Sequence, residues 1–224
     1  MYFRDRRDAG RQLAKPLEGF RDRRDVIVMA LPRGGVPVAF EVAKILHLQL
    51  DLMLVRKLGV PGHEELAMGA IADGGVKVLI DAITRFIPEA DISTIVSREL
   101  AELERRGRTY RQGRSMPVLK NRTVILIDDG CATGATMGAA IQAARKLGAA
   151  RITAAIPVAS QTAHALLKNL ADEVICLDVP EPFRSVGMFY VHFGQTEDAE
   201  VVDLLAQAWV WDETTHVAPT PQRP

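Results

Sequence analysis

Cysteine is scarce in this sequence: Cys131 and Cys176 are its only two, and they lie in unrelated contexts. A pair so separated forms neither a disulfide framework nor a metal-binding motif, so we expect free thiols in a reducing compartment. The N-terminal segment is rich in arginine and aspartate from Arg4 onward and lacks the apolar stretch of a secretory signal peptide. We therefore expect a cytoplasmic protein.

Long apolar runs and a net charge are missing as well. No apolar run approaches the ~18 residues that a membrane-spanning helix requires, so no membrane partner is expected. The 28 lysines and arginines balance the 28 aspartates and glutamates, so no general attraction to nucleic acid is expected either. The arginine-rich segments 4–7, 21–24 and 105–114 are typical of solvated, ion-paired surfaces, with a nucleic-acid or dimer contact as the alternative.

What the sequence does contain suits one globular domain. Its 224 residues are 48% hydrophobic, enough for a full core. Strands are predicted at 26–31, 50–55, 68–72, 76–80, 123–127, 151–159 and 173–177, and helices at 3–20, 37–46, 88–111, 133–147, 162–170 and 196–211. This α/β alternation predicts a mostly parallel twisted sheet with helices on both faces. We expect the domain to occupy residues 1–212, and the tail 213–224 to be disordered.

The stretch around residue 128 is the most informative part of the chain. Residues 124–127 are apolar without alternation, as in a strand buried on both faces, and Asp128 and Asp129 end the run. Small residues follow, and a helical pattern opens at Thr133. Ligands of open α/β sheets bind at the carboxyl ends of strands, which is where this stretch places its polar residues.

The residue types in this stretch point to a particular ligand shape. Backbone amides at the start of a helix, with small side chains around them, form an anion site, and Thr133 and Thr136 add hydroxyl donors. Ionised Asp128 and Asp129 only accept hydrogen bonds, so they should face hydroxyl groups or a metal rather than a phosphate. A phosphorylated ribose, with a phosphate at one end and a diol nearby, has the matching form.

Other phosphate-binding and catalytic motifs fit this stretch poorly. A P-loop needs Gly-Lys-Ser/Thr, yet no lysine follows the acid pair before Lys146. A dinucleotide fingerprint needs G-x-G-x-x-G, whereas Gly130, Gly134 and Gly138 fall four residues apart. The chain also lacks the G-x-S-x-G elbow of an α/β hydrolase.

The stretch resembles the signature of type I phosphoribosyltransferases that binds 5-phosphoribosyl-1-pyrophosphate (PRPP), and the resemblance covers most of residues 24–195. It implies an α/β core at 24–178, a flexible β-hairpin loop, and a small hood at 179–195 to which the N-terminal helix could contribute. It also implies transfer of a 5-phosphoribosyl group from PRPP to a nitrogen nucleophile, with release of pyrophosphate. The implied PRPP-binding residues are Asp128, Asp129, Gly130, Cys131, Ala132, Thr133, Gly134, Ala135 and Thr136.

Pro32, Arg33, Gly34 and Gly35 follow the strand at 26–31 and resemble the pyrophosphate loop of the family. Arg33 offers a guanidinium fork suited to phosphate oxygens, and the glycines let backbone amides approach closely. That loop often carries a cis peptide, which we expect at Pro32-Arg33 or its neighbour. Taken alone, Arg-Gly-Gly fits a plain surface turn better.

Arg56 and Lys57 end the strand predicted at 50–55, and residues 58–66 are punctuated like a loop. They resemble the catalytic flexible loop of adenine and orotate phosphoribosyltransferases, which implies cations beside the departing pyrophosphate. An exposed strand end is the alternative. Residues 73–75, Asp-Gly-Gly, then predict a hairpin.

The phosphate loop supplies no general base. Ala132 stands where hypoxanthine/guanine enzymes carry an aspartate, as in adenine-type enzymes, so any acid or base is expected from His63, Glu64 or Glu65. Cys131, near a helix start, could have a lowered thiol pKa, although the need for a small residue is the simpler explanation.

Proline and aromatic residues gather at 179–195. In the family, the hood formed there holds the base, so Phe183, Phe189 or Tyr190 could stack on a flat ring. Packing within the hood is the alternative for each of them.

The resemblance further implies Mg²⁺ as cofactor, bound by Asp128 and Asp129 directly or through water and substrate. The implied partners are PRPP, a small-molecule base and a second copy of the chain in a homodimer, and the implied role is nucleotide metabolism. A PRPP-binding regulator without transferase activity is the alternative on the same fold. Salt-dependent retention of RNA or DNA would favour the regulator.

Overall fold

The computed structural model describes residues 2–216, apart from the side chains of Glu65 and of residues 212–216. The described residues form strands β1 (Val26–Ala30), β2 (Gln49–Leu52), β3 (Val55–Val60), β4 (His63–Ala72), β5 (Val76–Leu79), β6 (Thr123–Ile127), β7 (Arg151–Val158) and β8 (Glu173–Asp178). They also form helices α1 (Arg6–Ala14), α2 (Gly35–Leu46), α3 (Asp81–Thr84), α4 (Glu89–Arg111), α5 (Ala135–Lys146), α6 (Gln161–Lys168) and α7 (Asp198–His216). Helix α7 runs past the boundary predicted at residue 212, and the rest of the predicted tail, 217–224, lies outside the described residues. Within residues 2–216, every helix is either too short or too polar to span a bilayer.

The main sheet has five parallel strands in the order β2-β1-β6-β7-β8. Strands β1 and β6 are buried along their whole length, as expected for continuous apolar runs covered on both faces. Neighbouring residues of β1 enter different cores: Val28 lies with residues of α2 and α7, whereas Met29 lies with residues of α5 and α6. The predicted parallel sheet with helices on both faces is therefore confirmed.

Strands β3, β4 and β5 form a second, antiparallel sheet that corrects the loop predicted at residues 58–66. Arg56 and Lys57 lie inside β3 rather than at the end of a strand. Gly59 resembled a loop residue, but a Cβ there would lie 2.7 Å from the carbonyl oxygen of Glu64. The glycine therefore marks a close approach of two paired strands. The hairpin predicted at residues 73–75 joins β4 to β5.

Arg111, the last residue of α4, ties the two sheets together. Its Nε donates to Asp51 Oδ1 at 2.7 Å, and its Nη2 donates to Asp73 Oδ2 and to Leu52 O at 2.8 Å each. Asp51 belongs to β2 and Asp73 directly follows β4, so one guanidinium joins both sheets to α4. The prediction that segment 105–114 lies in water is wrong for Arg111, whose exposed fraction is 5%.

The N-terminal segment packs against the segment predicted to form the hood. Phe3 forms an isolated bridge with Tyr190 and is buried with Phe189 and Val158. Helix α1, which follows Phe3, ends before Pro16, where a proline would interrupt its hydrogen bonds. Phe3 and Tyr190 are thus held together beside Val158, the last residue of β7.

Candidate functional site

Two loops face each other at the middle of the main sheet. The chain places β2 on one side of β1 and places β7 and β8 on the far side of β6, so the winding direction changes between β1 and β6. Loops at the carboxyl ends of strands beside such a change form the usual ligand crevice of open α/β sheets. Residues 32–34 follow β1 at this crevice, and residues 128–134 follow β6.

Gly34 and Gly35 allow these two loops to touch. A Cβ at Gly34 would lie 2.0 Å from Asp129 Oδ2, and a Cβ at Gly35 would lie 2.6 Å from Ile127 O. Any larger residue at either position would therefore displace the stretch that carries the two carboxylates. The peptide between Pro32 and Arg33 is cis, as the resemblance implied.

The acid pair, Asp128 and Asp129, is held in an electrostatically unfavourable place. Burial is the main cause that raises the pKa of Asp128 well above the ordinary carboxyl value, and repulsion from Asp129 adds to it. Burial also raises the pKa of Asp129, although Arg6 opposes that shift. Two partly buried carboxylates this close favour a cation or hydroxyl donors beside them.

Arg6 supplies one such cation. Its Nε donates to Asp129 Oδ2 at 2.8 Å, and its Nη1 donates to the carbonyl oxygen of Gly194 at 2.6 Å. Its guanidinium carbon lies 4.0 Å from the centre of the Phe193 ring. Sequence reasoning placed Arg6 in a solvated charge cluster and missed this contact, because Asp129 lies 123 residues away along the chain.

The loop at residues 130–136 has the form of an anion site. Cys131 N donates to Val158 O and Ser160 N donates to Cys131 O, both at 2.9 Å, so the loop is fixed to the end of β7. Gly134 adopts a left-handed φ of +83° directly before α5. Residues 132, 133, 135 and 136 are exposed, so the loop before α5 is open to a ligand.

Cys131 itself is buried, and the suggested lowering of its thiol pKa is wrong. Burial is the main cause that raises the pKa of Cys131 to about 12, and the charge of Asp128 adds to it. A thiol in that state is inert at neutral pH. Cys131 is therefore a small packing residue of the loop.

Arg33 reaches the start of α7. Its Nη1 lies 3.6 Å from Asp198 Oδ1 and 4.0 Å from Glu197 Oε2. Tyr110 in α4 donates a hydrogen bond from its hydroxyl to the same Asp198 oxygen at 2.7 Å. The Arg33 side chain is 34% exposed, so phosphate oxygens of a ligand in the crevice can reach it.

Arg56, Lys57 and Glu64 line a separate cavity of about 570 Å³ between β3 and α4. Arg56 Nε donates to Glu99 Oε2 at 2.8 Å, so this guanidinium is already paired. The acid pair is not among the residues that line the cavity. The structure therefore places Arg56, Lys57 and Glu64 beside α4. The side chain of Glu65, the remaining residue predicted for this loop, is not described by the structure.

The aromatic residues of the hood form a core rather than an open stacking face. Phe189 and Tyr190 are 8% and 6% exposed, and the ring centres of Phe3 and Tyr190 lie 5.4 Å apart. Tyr190 also donates its hydroxyl hydrogen to the carbonyl oxygen of Asp129 at 2.5 Å, so it supports the acid pair. Phe189 and Tyr190 therefore pack within the hood in this structure, and base stacking on either of them stays a prediction. Stacking on the half-buried Phe183 stays a prediction.

The donor set at the acid pair is chemically suited to a magnesium ion. Carboxylate oxygens are hard ligands of the kind that Mg²⁺ prefers. Within the described residues, no three His, Cys, Asp or Glu side chains are grouped to hold an ion by themselves. Asp128 and Asp129 would therefore supply the protein ligands, with substrate oxygens and water completing the shell, as is common for Mg²⁺.

Comparison with known proteins identifies relatives along most of the chain. A family model described as the phosphoribosyl transferase domain matches residues 7–189. Proteins of Mycobacterium tuberculosis strains H37Rv and CDC 1551, provisionally named phosphoribosyl transferases, are each 47% identical over 208 residues, or 92% of this chain. The match covers 47% of each of those proteins, so the chain spans about half the length of the curated relatives it matches.

Two solved structures share the fold of this chain. The crystal structure of TT1426 from Thermus thermophilus has a TM-score of 0.82 and 42% identity, and covers 92% of this chain and 99% of that one. The AQ2163 protein from Aquifex aeolicus has a TM-score of 0.50 and 12% identity over 89% of this chain and 84% of that one, which shows a shared fold alone.

Proposed function

We propose that this chain, which belongs to the phosphoribosyl transferase domain family, transfers the 5-phosphoribosyl group of PRPP to a nitrogen nucleophile. We take the nucleophile to be a nucleobase and the reaction to release pyrophosphate and to depend on Mg²⁺. The proposal includes a homodimer and a role in cytoplasmic nucleotide metabolism. Light scattering on the full chain tests the homodimer, which a monomeric mass would exclude.

The acid pair beside the open loop at the start of α5 carries this proposal. Asp128 and Asp129 can accept hydrogen bonds from two ribose hydroxyls, and the amides of residues 132–136 can donate to a 5-phosphate. Arg33 follows β1 on the other side of the crevice, where the pyrophosphate of the same molecule would lie. An ordinary surface turn does not explain why an open loop lies next to two partly buried carboxylates.

In the proposed reaction, the bond between ribose C1 and the pyrophosphate oxygen breaks, and a bond from the nitrogen to C1 forms. Pyrophosphate leaves with the bonding electrons, and the nitrogen loses its proton. Positive charge builds on the ribose ring, as it does in glycoside hydrolysis. Mg²⁺ bound with the substrate would offset the charge of the pyrophosphate. The chain itself orients the ribose through the acid pair and attracts the leaving group through Arg33.

We propose Glu64 or Glu65 as the proton acceptor, because Ala132 places no carboxylate in the loop. Either side chain would reach the crevice only when the hairpin of β3 and β4 closes over it. Glu64 is exposed on β4 beside Arg56 and Lys57. We predict that Glu64→Gln/Glu65→Gln lowers kcat about 10²-fold with little change in the KM for PRPP, the usual scale of general base catalysis.

Initial-rate kinetics with the accepted base measure this effect. Glu104→Gln is a suitable control, since Glu104 is exposed on α4 and should be dispensable. An unchanged kcat in the double variant would exclude both glutamates as the base.

The close approach of the two crevice loops gives a further prediction. Gly35→Ala should raise the KM for PRPP at least about tenfold, because a misplacement of about 1 Å at a site can cost up to about 10²-fold. The added Cβ would press on the backbone of Ile127 and Asp128. Gly19→Ala is the matched control, since a Cβ there meets nothing within 4 Å. Equal KM values in two folded variants would disprove the proposed importance of this contact.

A panel of purine and pyrimidine bases, each mixed with PRPP and Mg²⁺, tests the proposed function directly. We expect at least one base to support release of pyrophosphate. PRPP binding without release from any base would favour a PRPP-binding regulator. An absence of PRPP binding would reject the proposed function and the regulator together.

A further inference from the structure

Arg6 lies where the proposed reaction needs a cation. We propose that Arg6 is a binding-site residue that balances the charge of Asp129 in the free protein and gives way to Mg²⁺ when PRPP binds. This inference rests on the proposed function, because it assigns the metal to Asp128 and Asp129.

The surroundings of Arg6 distinguish its ion pair from those on the protein surface. The side chains of Arg6 and Asp129 are 13% and 14% exposed, so water screens their attraction only weakly. Arg7, the next residue of the same helix, is 44% exposed and pairs with Glu41 at 3.2 Å. Glu41 is as enclosed as Asp129, so the two pairs differ in the exposure of the guanidinium: water reaches Arg7 and weakens its pair, whereas both groups of the Arg6–Asp129 pair are enclosed.

The Arg6 guanidinium also connects the hood to the core. Its other contacts, the carbonyl oxygen of Gly194 and the ring of Phe193, both belong to the segment that packs over the main sheet. Asp129, in contrast, directly follows the central strand β6. The ion pair therefore closes the hood segment onto the end of β6 as long as no other cation occupies the acid pair.

A metal ion must compete with Arg6 for the same carboxylate. Mg²⁺ and the guanidinium carry charge of the same sign, so both cannot lie against Asp129 without strong repulsion in a mostly buried site. A metal that arrives alone has to displace Arg6 with two protein carboxylates and water as its ligands. A metal that arrives with PRPP brings phosphate oxygens, and the ribose hydroxyls then occupy the acid pair as well. Arg6 therefore favours binding of the metal together with substrate over binding of the metal alone.

Manganese titration without PRPP tests this role, with the free ion measured by electron paramagnetic resonance at pH 8. We expect Arg6→Gln to bind Mn²⁺ at least about tenfold more tightly than the wild type, because the competing charge is gone. Arg7→Gln, the matched control, should leave Mn²⁺ affinity unchanged. Unchanged or weaker Mn²⁺ binding by Arg6→Gln would overturn the inference.

Two further variants locate the effect. Arg6→Gln/Asp129→Asn should bind Mn²⁺ no more tightly than the wild type, since it removes the carboxylate that the ion would use. Tighter Mn²⁺ binding by this double variant would also overturn the inference. Phe193→Leu removes the aromatic ring on which the Arg6 guanidinium rests. Because Phe193 is 38% exposed, this variant should fold even if Arg6→Gln does not. It should increase Mn²⁺ affinity about threefold, on the scale of one cation–π contact, and no increase would count against the inference.

The outcome for Arg6 can be separated from that of the proposed function. Calorimetry with PRPP and Mg²⁺ on the wild type reports on the function, whereas the manganese series contains no PRPP. If PRPP binds and Arg6→Gln leaves Mn²⁺ affinity unchanged, the role of Arg6 fails alone. If PRPP does not bind, the proposed function fails, and the role of Arg6 in PRPP binding fails with it.

Discussion

Asp128→Asn/Asp129→Asn is expected to lower kcat/KM for PRPP at least about 10³-fold, because a site built to bond substrate hydroxyls loses that scale of rate when its buried polar groups are mismatched. Asparagine keeps the shape of aspartate but replaces one acceptor oxygen with a donor and removes the charge that a metal would require. Initial rates over a range of PRPP and Mg²⁺ concentrations measure the change. Asp203→Asn, on the exposed face of α7, should behave as the wild type.

The same substitution at Asp128 should make the free protein more stable. Burial and repulsion from Asp129 raise the pKa of Asp128 in the folded state, so the ionised carboxylate opposes folding. This penalty is absent below the ordinary carboxyl pKa and grows as the pH rises through the interval up to the raised value. For each ~1 kcal/mol that Asp128→Asn adds to the free energy of unfolding at pH 7, its melting temperature should therefore rise by roughly 2–4 °C. The difference should shrink as the pH falls towards the ordinary value.

Full activity of Asp128→Asn/Asp129→Asn would show that the acid pair has another role. The same would follow if Asp128→Asn melted lower than the wild type at pH 7 and the difference in melting temperature did not change with pH. A loss of activity with a gain in stability is the combination that a functional site predicts, since binding sites keep groups that the free fold does not favour.

Arg111→Met is expected to destabilise the protein by roughly 3–5 kcal/mol, the usual penalty for removing one partner of a buried ion pair. Burial opposes the charge on Arg111, but the hydrogen bonds and charges of Asp73 and Asp51 outweigh it and raise its pKa. Without the guanidinium, two carboxylates would remain buried between β2, α4 and the hairpin after β4. Urea unfolding measures the free energy of unfolding.

Arg108→Met provides the control on the same helix. Arg108 is 73% exposed and lies 3.9 Å from Glu104, so its loss should change stability by no more than about 0.5 kcal/mol. Arg111→Lys keeps the charge but not the planar fork, so its free energy of unfolding should lie between those of the wild type and Arg111→Met. Equal stability of the Arg108 and Arg111 variants would show that the buried cluster does not hold the sheets together.

The central part of the site could be predicted from the sequence because its signals are local. Unbroken apolar runs identified β1 and β6 as buried parallel strands, and parallel strands place their following loops at one edge of a sheet. The sequence thus placed both the acid pair and residues 32–35 directly after buried strands, and the structure adds that a Cβ at Gly34 would lie 2.0 Å from Asp129 Oδ2. The resemblance to a known family also predicted a cis peptide at Pro32-Arg33 or its neighbour, and the structure has one at Pro32-Arg33.

The rest of the site depends on contacts between distant residues that no local pattern marks. Arg6 and Arg111 looked like members of solvated charge clusters, yet one pairs with Asp129 and the other is 5% exposed between two aspartates. Gly59 and Gly62 suggested a loop, whereas Gly59 allows close strand pairing and Gly62 only turns the chain at a φ of +74°. Sequence composition could not show that Phe3 is buried together with the aromatic residues Phe189 and Tyr190.

A crystal structure of the chain with PRPP and Mg²⁺ tests the central claim most directly. We predict that the 5-phosphate accepts hydrogen bonds from the amides of residues 132–136 and that the ribose hydroxyls lie against Asp128 and Asp129, with the pyrophosphate towards Arg33. Electron density for the sugar phosphate outside the crevice between β1 and β6, with the acid pair still bound only to Arg6, would contradict the account.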